Sequence, residues 1–331
     1  MHFLPRMRYT DGDTAAIVQW QNAALWQRMS WVRNPLAAPI FHPDGLALHS
    51  LRRSLTDNPM PASRPDTRKK TTTIQHIEVA AAPPHLFAGT SGWAYPTWKP
   101  DFYPEGVSAK KFLSYYASVL NSVEVNYTFR KLPPAARLTE WLTQVGSEFR
   151  FSFKAPQRIT HFSRLRDCDE HVAEFFRFVA PAAAAGKLGL VLFQLPPNFK
   201  ADLLRLRTFL AAPAFRAAGA PPIAFEFRHE SWFSPAVEAL LREHNVALCI
   251  AETEDFGSPE IHTAVGHSCF RLRRSGGYKP REVTAFATRL LALAKDRDVY
   301  VYFKHEDEST GAMNASAFLR SAVTRTKKGR R

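Results

Sequence analysis

The amino-acid sequence predicts an α/β fold, a parallel (β/α)8 TIM barrel over residues 85–319, preceded by a poorly ordered N-terminal extension. Short apolar runs alternate with helix-length segments, which is typical of βαβ units and a parallel sheet. Eight such runs occur, whereas a doubly wound sheet usually has about five or six strands. The segment is also close in length to the roughly 250 residues that such barrels use.

The strands and helices can be assigned in chain order. The eight predicted strands are HLFAGT, SVEVN, EFRFSFK, GKLGLVLFQLP, PPIAFEFR, VALCIAE, SCFRLRR and DVYVYFKHE. The predicted helices are SAKKFLSYYASVL, PPAARLTEWLTQV, DEHVAEFFRFVAPAAAA, LLRLRTFLAA, SPAVEALLREHN, REVTAFATRLLALAK and MNASAFLRSAV. Ser108 and Ser234 suit helix N-caps, and residues 253–267 are predicted to form a loop. No G-x-G-x-x-G follows the first strand and no P-loop occurs, so the two common nucleotide-binding signatures are absent.

The two ends of the chain differ from the predicted barrel. Residues 1–84 include a stretch rich in Pro, Ser, Thr and charge, which cannot bury enough apolar surface to offset backbone entropy. We therefore predict a low-order extension and linker over 1–84 and a basic tail over 320–331. These two segments carry net charges of +4 and +6 out of a total of +14. Most of the excess charge thus lies outside the predicted barrel.

Several features indicate a cytoplasmic protein. No run approaches the roughly 20 apolar residues of a membrane span, so no membrane association is predicted. The N-terminus lacks the continuous apolar run of a secretory signal. The three cysteines show no C-x-x-C spacing, and two of them lie in apolar runs, which favours buried thiols in a reducing compartment.

Polar side chains recur on one side of the predicted strands. In FRFSFK, three phenylalanines alternate with Arg150, Ser152 and Lys154, so the aromatic side is expected under the helices and Lys154 near the barrel axis. The same alternation predicts inward polar residues in other strands: Glu124, Asn126, Gln194, Glu226, Arg228, Arg271, Arg273 and Lys304. A buried charge costs several kcal/mol unless it is paired. These residues are therefore expected to form a polar pocket at the C-terminal mouth, or else a structural salt-bridge network that plugs the barrel.

Several motifs occur in an order that resembles the YecE-like family, domain of unknown function 72. They are GTSGWAYPTWKPDFYP, YYASVLNSVEVNYTFRKLPP, FRFSFKAPQRITH, LVLFQLPPNF, FEFRHESW and VYVYFKHED. The similarity covers roughly residues 86–319, nearly the whole predicted barrel, whereas residues 1–84 have no counterpart. The resemblance implies a TIM-barrel fold and no established activity, since the family is named for that gap.

The resemblance also implies which residues lie at the strand ends. The matching positions are Thr90, Ser91, Trp93, Tyr95, Glu124, Asn126, Lys154, His161, Gln194, Glu226, Arg228, His229 and Trp232. Many relatives have the residues FNN near the last strand, whereas this chain has FKHED. A role of that asparagine pair therefore does not transfer.

The leading functional hypothesis is an enzyme acting on a small anionic or hydroxyl-rich substrate, such as a phosphate, a carboxylate or a sugar. Glu124 and Glu226 come from strands on opposite sides of the barrel and could act as general acid and base, together with Lys154. Basic residues would hold an anion, since arginine binds such groups bidentately: Lys154, Arg228, Arg271, Arg273 and Lys304. The other predicted substrate-binding residues are Thr90, Ser91, Trp93, Tyr95, Asn126, His161, Gln194, His229 and Trp232, with the three Trp and Tyr side chains as stacking walls or as ordinary loop packing.

Two alternatives remain open. His161, His229 and His305 follow strands and could bind a catalytic metal with Glu124, Glu226 and Glu306, although the inward Lys and Arg side chains would repel a cation. The basic segments could instead bind nucleic acid, but only nonspecifically, because no helix-turn-helix or zinc pattern occurs. No metal or other cofactor is predicted, and the sequence does not indicate an oligomeric state.

Overall fold

The computed structural model describes residues 82–254, 256–304 and 308–329. Eight parallel strands form a single sheet in the order β1-β8-β7-β6-β5-β4-β3-β2, and all seven neighbouring pairs are parallel. The strands are β1 Leu86–Thr90, β2 Ser122–Val125, β3 Arg150–Lys154, β4 Leu188–Gln194, β5 Ile223–Glu226, β6 Ala247–Glu252, β7 His267–Leu272 and β8 Asp298–Phe303. The predicted barrel is confirmed. The predicted extension over 1–84 lies almost wholly outside the described residues.

Helices follow most of the strands and cover the outside of the barrel. They are α1 Phe112–Val119, α2 Tyr127–Arg130, α3 Ala135–Thr143, α4 Asp169–Ala184, α5 Leu203–Leu210, α6 Pro213–Arg216, α7 Pro235–Glu243, α8 Pro280–Leu293 and α9 Thr310–Gly329. In the described part of the segment between β6 and β7, no helix forms, as predicted. The basic tail predicted to begin at residue 320 starts inside α9. Ala322 and Val323 are buried, so the packed face of this helix continues beyond residue 319. No helix among the described residues is both long enough and apolar enough to cross a membrane.

β1 and β2 are joined by side chains rather than by a strand ladder. The backbone N–H of Ala88 donates to Asn121 Oδ1 at 2.8 Å, and Asn121 Nδ2 donates to the carbonyl of Leu86 at 2.8 Å. The Asn121 amide thus stands in for a backbone peptide at the seam. A Cβ at Gly89 would lie 1.8 Å from the carbonyl oxygen of Ser122, so the close approach of the two strands requires glycine.

A tyrosine hydroxyl completes the seam. Tyr116 on α1 accepts a hydrogen bond from the backbone N–H of Thr90 at 2.8 Å and donates to the carbonyl of Ser122 at 3.0 Å. Both bonds are fully buried, so backbone groups that lack a strand partner are still paired. The seam therefore closes the barrel and holds β1 and β2 at a fixed height.

The apolar residues pack in two layers, one on each face of the sheet. Phe149, Phe151 and Phe153 lie in the outer layer, under the helices, as the alternation predicts. The inner layer lies in the lower barrel, where Phe87 stacks on Tyr300 with ring centroids 5.0 Å apart. The inner layer also contains Leu190, Leu192, Cys249 and Cys269. All three cysteines are buried and free, as predicted.

A neutral polar layer lies above this apolar floor. The Tyr302 hydroxyl is 2.6 Å from Ser152 Oγ and 2.8 Å from Ser122 Oγ. Ser152 Oγ also accepts a hydrogen bond from the backbone N–H of Leu190, and Ser122 donates to the carbonyl of Arg150. Every hydroxyl in this layer is paired. Glu124 and Lys154 lie two residues further along β2 and β3 than these serines, nearer the C-terminal mouth, and Arg271 pairs in register with Tyr302.

Candidate functional site

An arginine at the end of β7 organises the mouth of the barrel. Arg271 is 1% exposed; its Nη2 donates to Glu124 Oε1 at 2.7 Å and its Nη1 pairs with Glu226 Oε2. Glu124 lies one residue before the end of β2, and Glu226 is the last residue of β5. The guanidinium on β7 therefore links three separate strands. Buried charges of this kind are tolerated only when they are paired.

Glu226 is held by a second arginine. Arg228 Nε donates to Glu226 Oε1 at 2.7 Å, so both oxygens of this carboxylate are engaged. Burial by itself would raise the pKa of Glu226, but the charges of Arg271 and Arg228 outweigh burial and hold the pKa well below its usual value. Glu226 therefore stays ionised and is poorly suited to donate a proton.

Glu124 differs from Glu226 because only one of its oxygens is used. Glu124 Oε2 is buried and has no hydrogen-bond partner among the described residues. Asn126, just beyond β2, donates through Nδ2 to the carbonyl of Ser91 at 3.2 Å, but its Oδ1 is likewise buried and unpartnered. The Nε of Arg271 is a third such atom. An unmet buried polar atom costs about 1–3 kcal/mol, so three around one mouth indicate a place where a polar ligand or water binds.

Lys154 places an amine at the same mouth, where it contacts an aromatic ring instead of an acceptor. Its side chain is 6% exposed, and no acceptor within the described ranges forms a hydrogen bond or ion pair with Nζ. The amine lies 4.1 Å from the centroid of the Phe129 ring, and the Thr128 hydroxyl fixes the strand end by donating to the Lys154 carbonyl at 2.7 Å. Burial, followed by the positive charges of Arg271 and Arg228, lowers the pKa of Lys154 well below 10.5.

Arg273 adds a further cation. Its Nη1 lies 3.4 Å from Ser91 Oγ, and no carboxylate in the described part of the chain pairs with its guanidinium. Burial and the neighbouring charges of Arg271 and Arg228 lower the pKa of Arg273 to about 9. Arg273 is therefore a cation in a positive environment, which an anionic ligand would relieve.

His161 lies in a π-helical turn after β3, Arg158–Phe162, and borders the same group. Its ring meets the Phe129 ring edge-on at 4.9 Å, and its Nδ1 is 2.9 Å from the Thr160 hydroxyl. Burial, then the charge of Lys154, lowers the pKa of His161 to about 4. The imidazole is therefore neutral near pH 7 and available as a hydrogen-bonding group.

Other predicted site residues lie at the mouth but are engaged in local contacts. Gln194 is buried beside Glu226 in the β4–β5 register and donates weakly to the carbonyl of Leu195. The Tyr95 hydroxyl donates to the carbonyl of Ser91 at 3.2 Å. Lys304 Nζ donates to Ser275 Oγ at 2.7 Å, which places it on the rim. These residues border the charged group without joining it.

Four more predicted residues have structural contacts instead. Trp232 stacks on Phe227 with centroids 4.6 Å apart and donates through Nε1 to the carbonyl of Phe199, so it is buried in the outer core. His229 Nδ1 accepts from the backbone of Ser231 and caps a short 3-10 turn. Trp93 packs edge-on against Trp141, and the Thr90 hydroxyl bonds the carbonyl of Gly92. The predicted substrate contacts of these four residues are therefore not supported by their positions.

The metal alternative has little support in the described part of the chain. No group of three His, Cys, Asp or Glu side chains there could hold an ion. His161 and His229 therefore belong to no such group of possible ligands. Glu124 and Glu226 are paired with arginines, which would repel a cation. His305 and Glu306 lie outside the described residues.

Phe129 borders the mouth and is absent from the residues that the sequence predicts for the site. It lies on the short helix α2, which begins directly after Asn126, and its ring contacts both Lys154 and His161. The only signal was its place in the motif NYTFRKLPP, just beyond the second strand. Strand alternation carries no information past the strand end, so the direction of its ring could not be inferred.

Comparisons with known proteins agree with this architecture. The family model "Protein of unknown function DUF72" matches residues 87–330. The UPF0759 protein YecE of Escherichia coli K12 is 32% identical over 184 residues, covering 55% of this chain and 63% of that protein. The UPF0759 protein YunF of Bacillus subtilis is 31% identical over 154 residues, covering 45% of this chain and 53% of that protein. The matched segments thus span between half and two thirds of these relatives.

Solved structures show the same fold. A DUF72 family protein from Thermotoga maritima superposes with a TM-score of 0.61 at 24% identity, covering 71% of this chain and 98% of the other. One from Enterococcus faecalis gives a TM-score of 0.55 at 21% identity, covering 72% and 98%. Since the family model spans most of the chain and includes every strand residue but the first, the chain belongs to the DUF72 family.

Proposed function

We propose that the barrel mouth is an active site that binds a small anionic or hydroxyl-rich substrate and acts on it by acid–base chemistry. One observation carries this proposal: four cationic side chains surround only two carboxylates, and two of the four have no acidic partner among the described residues. The cations are Lys154, Arg228, Arg271 and Arg273, and the carboxylates are Glu124 and Glu226. An anion would balance this charge.

The six side chains divide into two sets by their contacts. Arg271 and Glu226 form a fixed support, because both oxygens of Glu226 are engaged and the two terminal nitrogens of Arg271 each pair with a carboxylate. Arg273 and the quarter-exposed Arg228 face the mouth and would bind the anionic group through paired N–H donors. Glu124, with one free oxygen, and Lys154, with a lowered pKa, remain to move a proton.

The competing structural interpretation is an ion-pair plug. A plug would be expected to balance its charges and to use its hydrogen-bonding atoms, because each unmet buried group is costly. Here Glu124 Oε2 and Asn126 Oδ1 are unmet, and Lys154 lacks an acceptor in the described part of the chain. The imbalance favours a ligand site over a plug. Nonspecific nucleic-acid binding through the basic chain ends stays a prediction.

Binding of inorganic phosphate, pyruvate and glucose 6-phosphate, measured by isothermal titration calorimetry, tests the proposal. Substituting Arg273→Gln removes one charged anion contact, worth about 1.5–3 kcal/mol, and should weaken binding by roughly 10- to 100-fold. Arg281→Gln is the matched control, because Arg281 is an exposed arginine at the start of α8. If none of the three probes binds, or if both substitutions weaken binding equally, the anion site is refuted.

A further inference from the structure

We infer that Lys154 forms a protonated imine with a small carbonyl compound that carries a carboxylate or a phosphate. This inference rests on the anion-binding function proposed above and names the substrate class and the covalent step. It depends on the position of the Lys154 amine, on the free oxygen of Glu124 and on the two mouth-facing arginines.

The surroundings of the buried Lys154 amine differ from those of two half-buried lysines. Lys187 donates to two backbone carbonyls, those of Leu142 and Val145, at 2.7 and 2.8 Å. Lys99 donates to the carbonyl of Glu105 at 2.8 Å. Such bonds occupy the N–H groups of an ammonium and favour its charged form. Lys154 is more deeply buried than either, yet has no such bond within the described ranges, so its environment does not stabilise the ammonium in this way.

The charged groups around Lys154 act on its protonation in both directions. Arg271 on β7 and Arg228 beyond β5 disfavour the ammonium, whereas Glu124 on β2 and Glu226 on β5 favour it. His161, which lies beyond the Phe129 ring, is neutral near pH 7 and adds no charge there. Burial and the arginines prevail, so the pKa of the amine is lowered. A lysine that is desolvated next to other cations is a competent nucleophile toward carbonyl carbon, because a larger fraction is neutral.

The imine step is balanced with groups already at the mouth. Lys154 first gives one ammonium proton to Glu124 Oε2. The Nζ lone pair then attacks the carbonyl carbon, a C–N bond forms, and the carbonyl electron pair moves to oxygen, which takes that proton from Glu124. The nitrogen loses a proton, and the resulting hydroxyl is protonated and leaves as water, so the products are a protonated imine and one water molecule. Glu124 Oε2 is the unengaged carboxylate oxygen that can accept the nitrogen's proton and return it to the departing hydroxyl. No oxidant or reductant is needed.

The arginines explain why the carbonyl compound should also be an anion. Arg273 and Arg228 have planar donor sets that match carboxylate and phosphate oxygens. Glu226 takes only the Nε of Arg228, so within the described residues the other donors of that guanidinium stay available to a ligand. Holding the anionic end in this way would bring the carbonyl of a short molecule toward Lys154.

Reductive trapping tests the inference. The full-length protein is incubated separately with pyruvate and with dihydroxyacetone phosphate in the presence of sodium cyanoborohydride, followed by intact-mass measurement and peptide mapping. We expect one adduct per chain, on Lys154, with at least one of the two compounds; the arm that reacts shows whether the anionic group is a carboxylate or a phosphate. Lys154→Met should abolish the adduct, whereas Lys200→Met, which removes an exposed lysine after β4, should retain it.

The outcomes separate this inference from the function on which it rests. If calorimetry shows that the anions bind at the mouth but no adduct maps to Lys154, the imine is refuted and the anion site stands. Adducts spread over exposed lysines, unchanged in Lys154→Met, would also refute it. Peptide mapping of the unsubstituted protein locates the adduct even if Lys154→Met fails to fold.

Discussion

Two successive layers of the barrel interior differ in how completely their polar groups are hydrogen-bonded. In the middle layer, the hydroxyls of Ser122, Ser152 and Tyr302 are neutral and all paired. One step toward the mouth, Glu124 and Lys154 are charged or chargeable and keep atoms without partners in the described part of the chain. The same strands β2 and β3 supply both layers. The barrel can thus pair the polar groups of its middle layer, and the pairing becomes incomplete one step nearer the mouth.

The charged residues of the mouth differ in how much they contribute to the stability of the fold. Within the mouth, Arg271 resembles Tyr302 in joining two partners, since its Nη1 and Nη2 pair with two carboxylates that are each 1% exposed. Lys154 and Arg273 form no ion pair with any residue that the structure describes. We therefore expect substitutions at the mouth to fall into two classes, those that cost stability and those that cost only ligand binding.

The largest effect is expected for Arg271→Met, which leaves Glu124 and Glu226 buried without their shared partner. Removing one member of a buried ion pair costs about 3–5 kcal/mol, which should lower Tm by roughly 10 °C. Differential scanning calorimetry measures the change. The triple variant Arg271→Met with Glu124→Gln and Glu226→Gln should recover part of the loss, because it removes the stranded charges. A Tm within about 2 °C of the parent for Arg271→Met alone would contradict the assigned role.

A smaller effect is expected in the middle layer. Tyr302→Phe removes a buried hydroxyl, so Ser122 and Ser152 each lose a hydrogen-bond partner. The free energy of unfolding should fall by about 1–3 kcal/mol. Affinity for phosphate should stay unchanged, because this layer is already complete and faces no ligand. Chemical denaturation and calorimetry measure the two quantities on one preparation. Loss of phosphate binding in this variant, with stability unchanged, would show that the two layers are not independent.

Much of this arrangement follows from the sequence by one rule. Strand side chains alternate between the two faces of the sheet, so the apolar neighbours Val123 and Val125 predict that Glu124 points inward, and Phe151 and Phe153 predict the same for Ser152 and Lys154. The barrel topology then predicts that the ends of these strands meet at one mouth. The first inference depends only on the pattern within one strand, and the second depends on eight strands alternating with helices along the chain.

The rest depends on contacts between distant segments or beyond strand ends. Trp232 and His229 follow β5, where alternation has stopped, and the loop turns Trp232 into the outer core instead of the mouth. Nothing in the local sequence shows that Asn121 replaces a strand ladder, because its two partners, Leu86 and Ala88, lie more than 30 residues away. The sharing of Arg271 between two carboxylates likewise requires the closed barrel.

The smallest expected change in stability is a gain rather than a loss, and it follows from replacing Lys154. The pKa of Lys154 is lowered in the folded protein, mainly by burial and then by Arg271 and Arg228, against the opposing charges of Glu124 and Glu226. Between this lowered pKa and the unfolded value near 10.5, the unfolded chain binds more protons than the folded one. The free energy of unfolding contributed by this group therefore rises with pH across that window, and the cost of the buried ammonium is fully present below it.

Lys154→Met should remove that cost and keep an apolar side chain against the Phe129 ring. We expect the variant to be more stable than the parent by about 1 kcal/mol at pH 6, within the range seen when functional residues are replaced, and the gain to shrink toward pH 10. Urea denaturation of both proteins at several pH values measures the difference, and Lys200→Met, an exposed lysine, should stay within about 0.5 kcal/mol of the parent throughout. A gain that does not depend on pH would show that packing, rather than the charge of Lys154, is responsible. A loss of stability at pH 6 would show instead that Lys154 belongs to a balanced ion-pair plug, as Arg271 does with Glu124 and Glu226. The contrast between the two layers would then disappear.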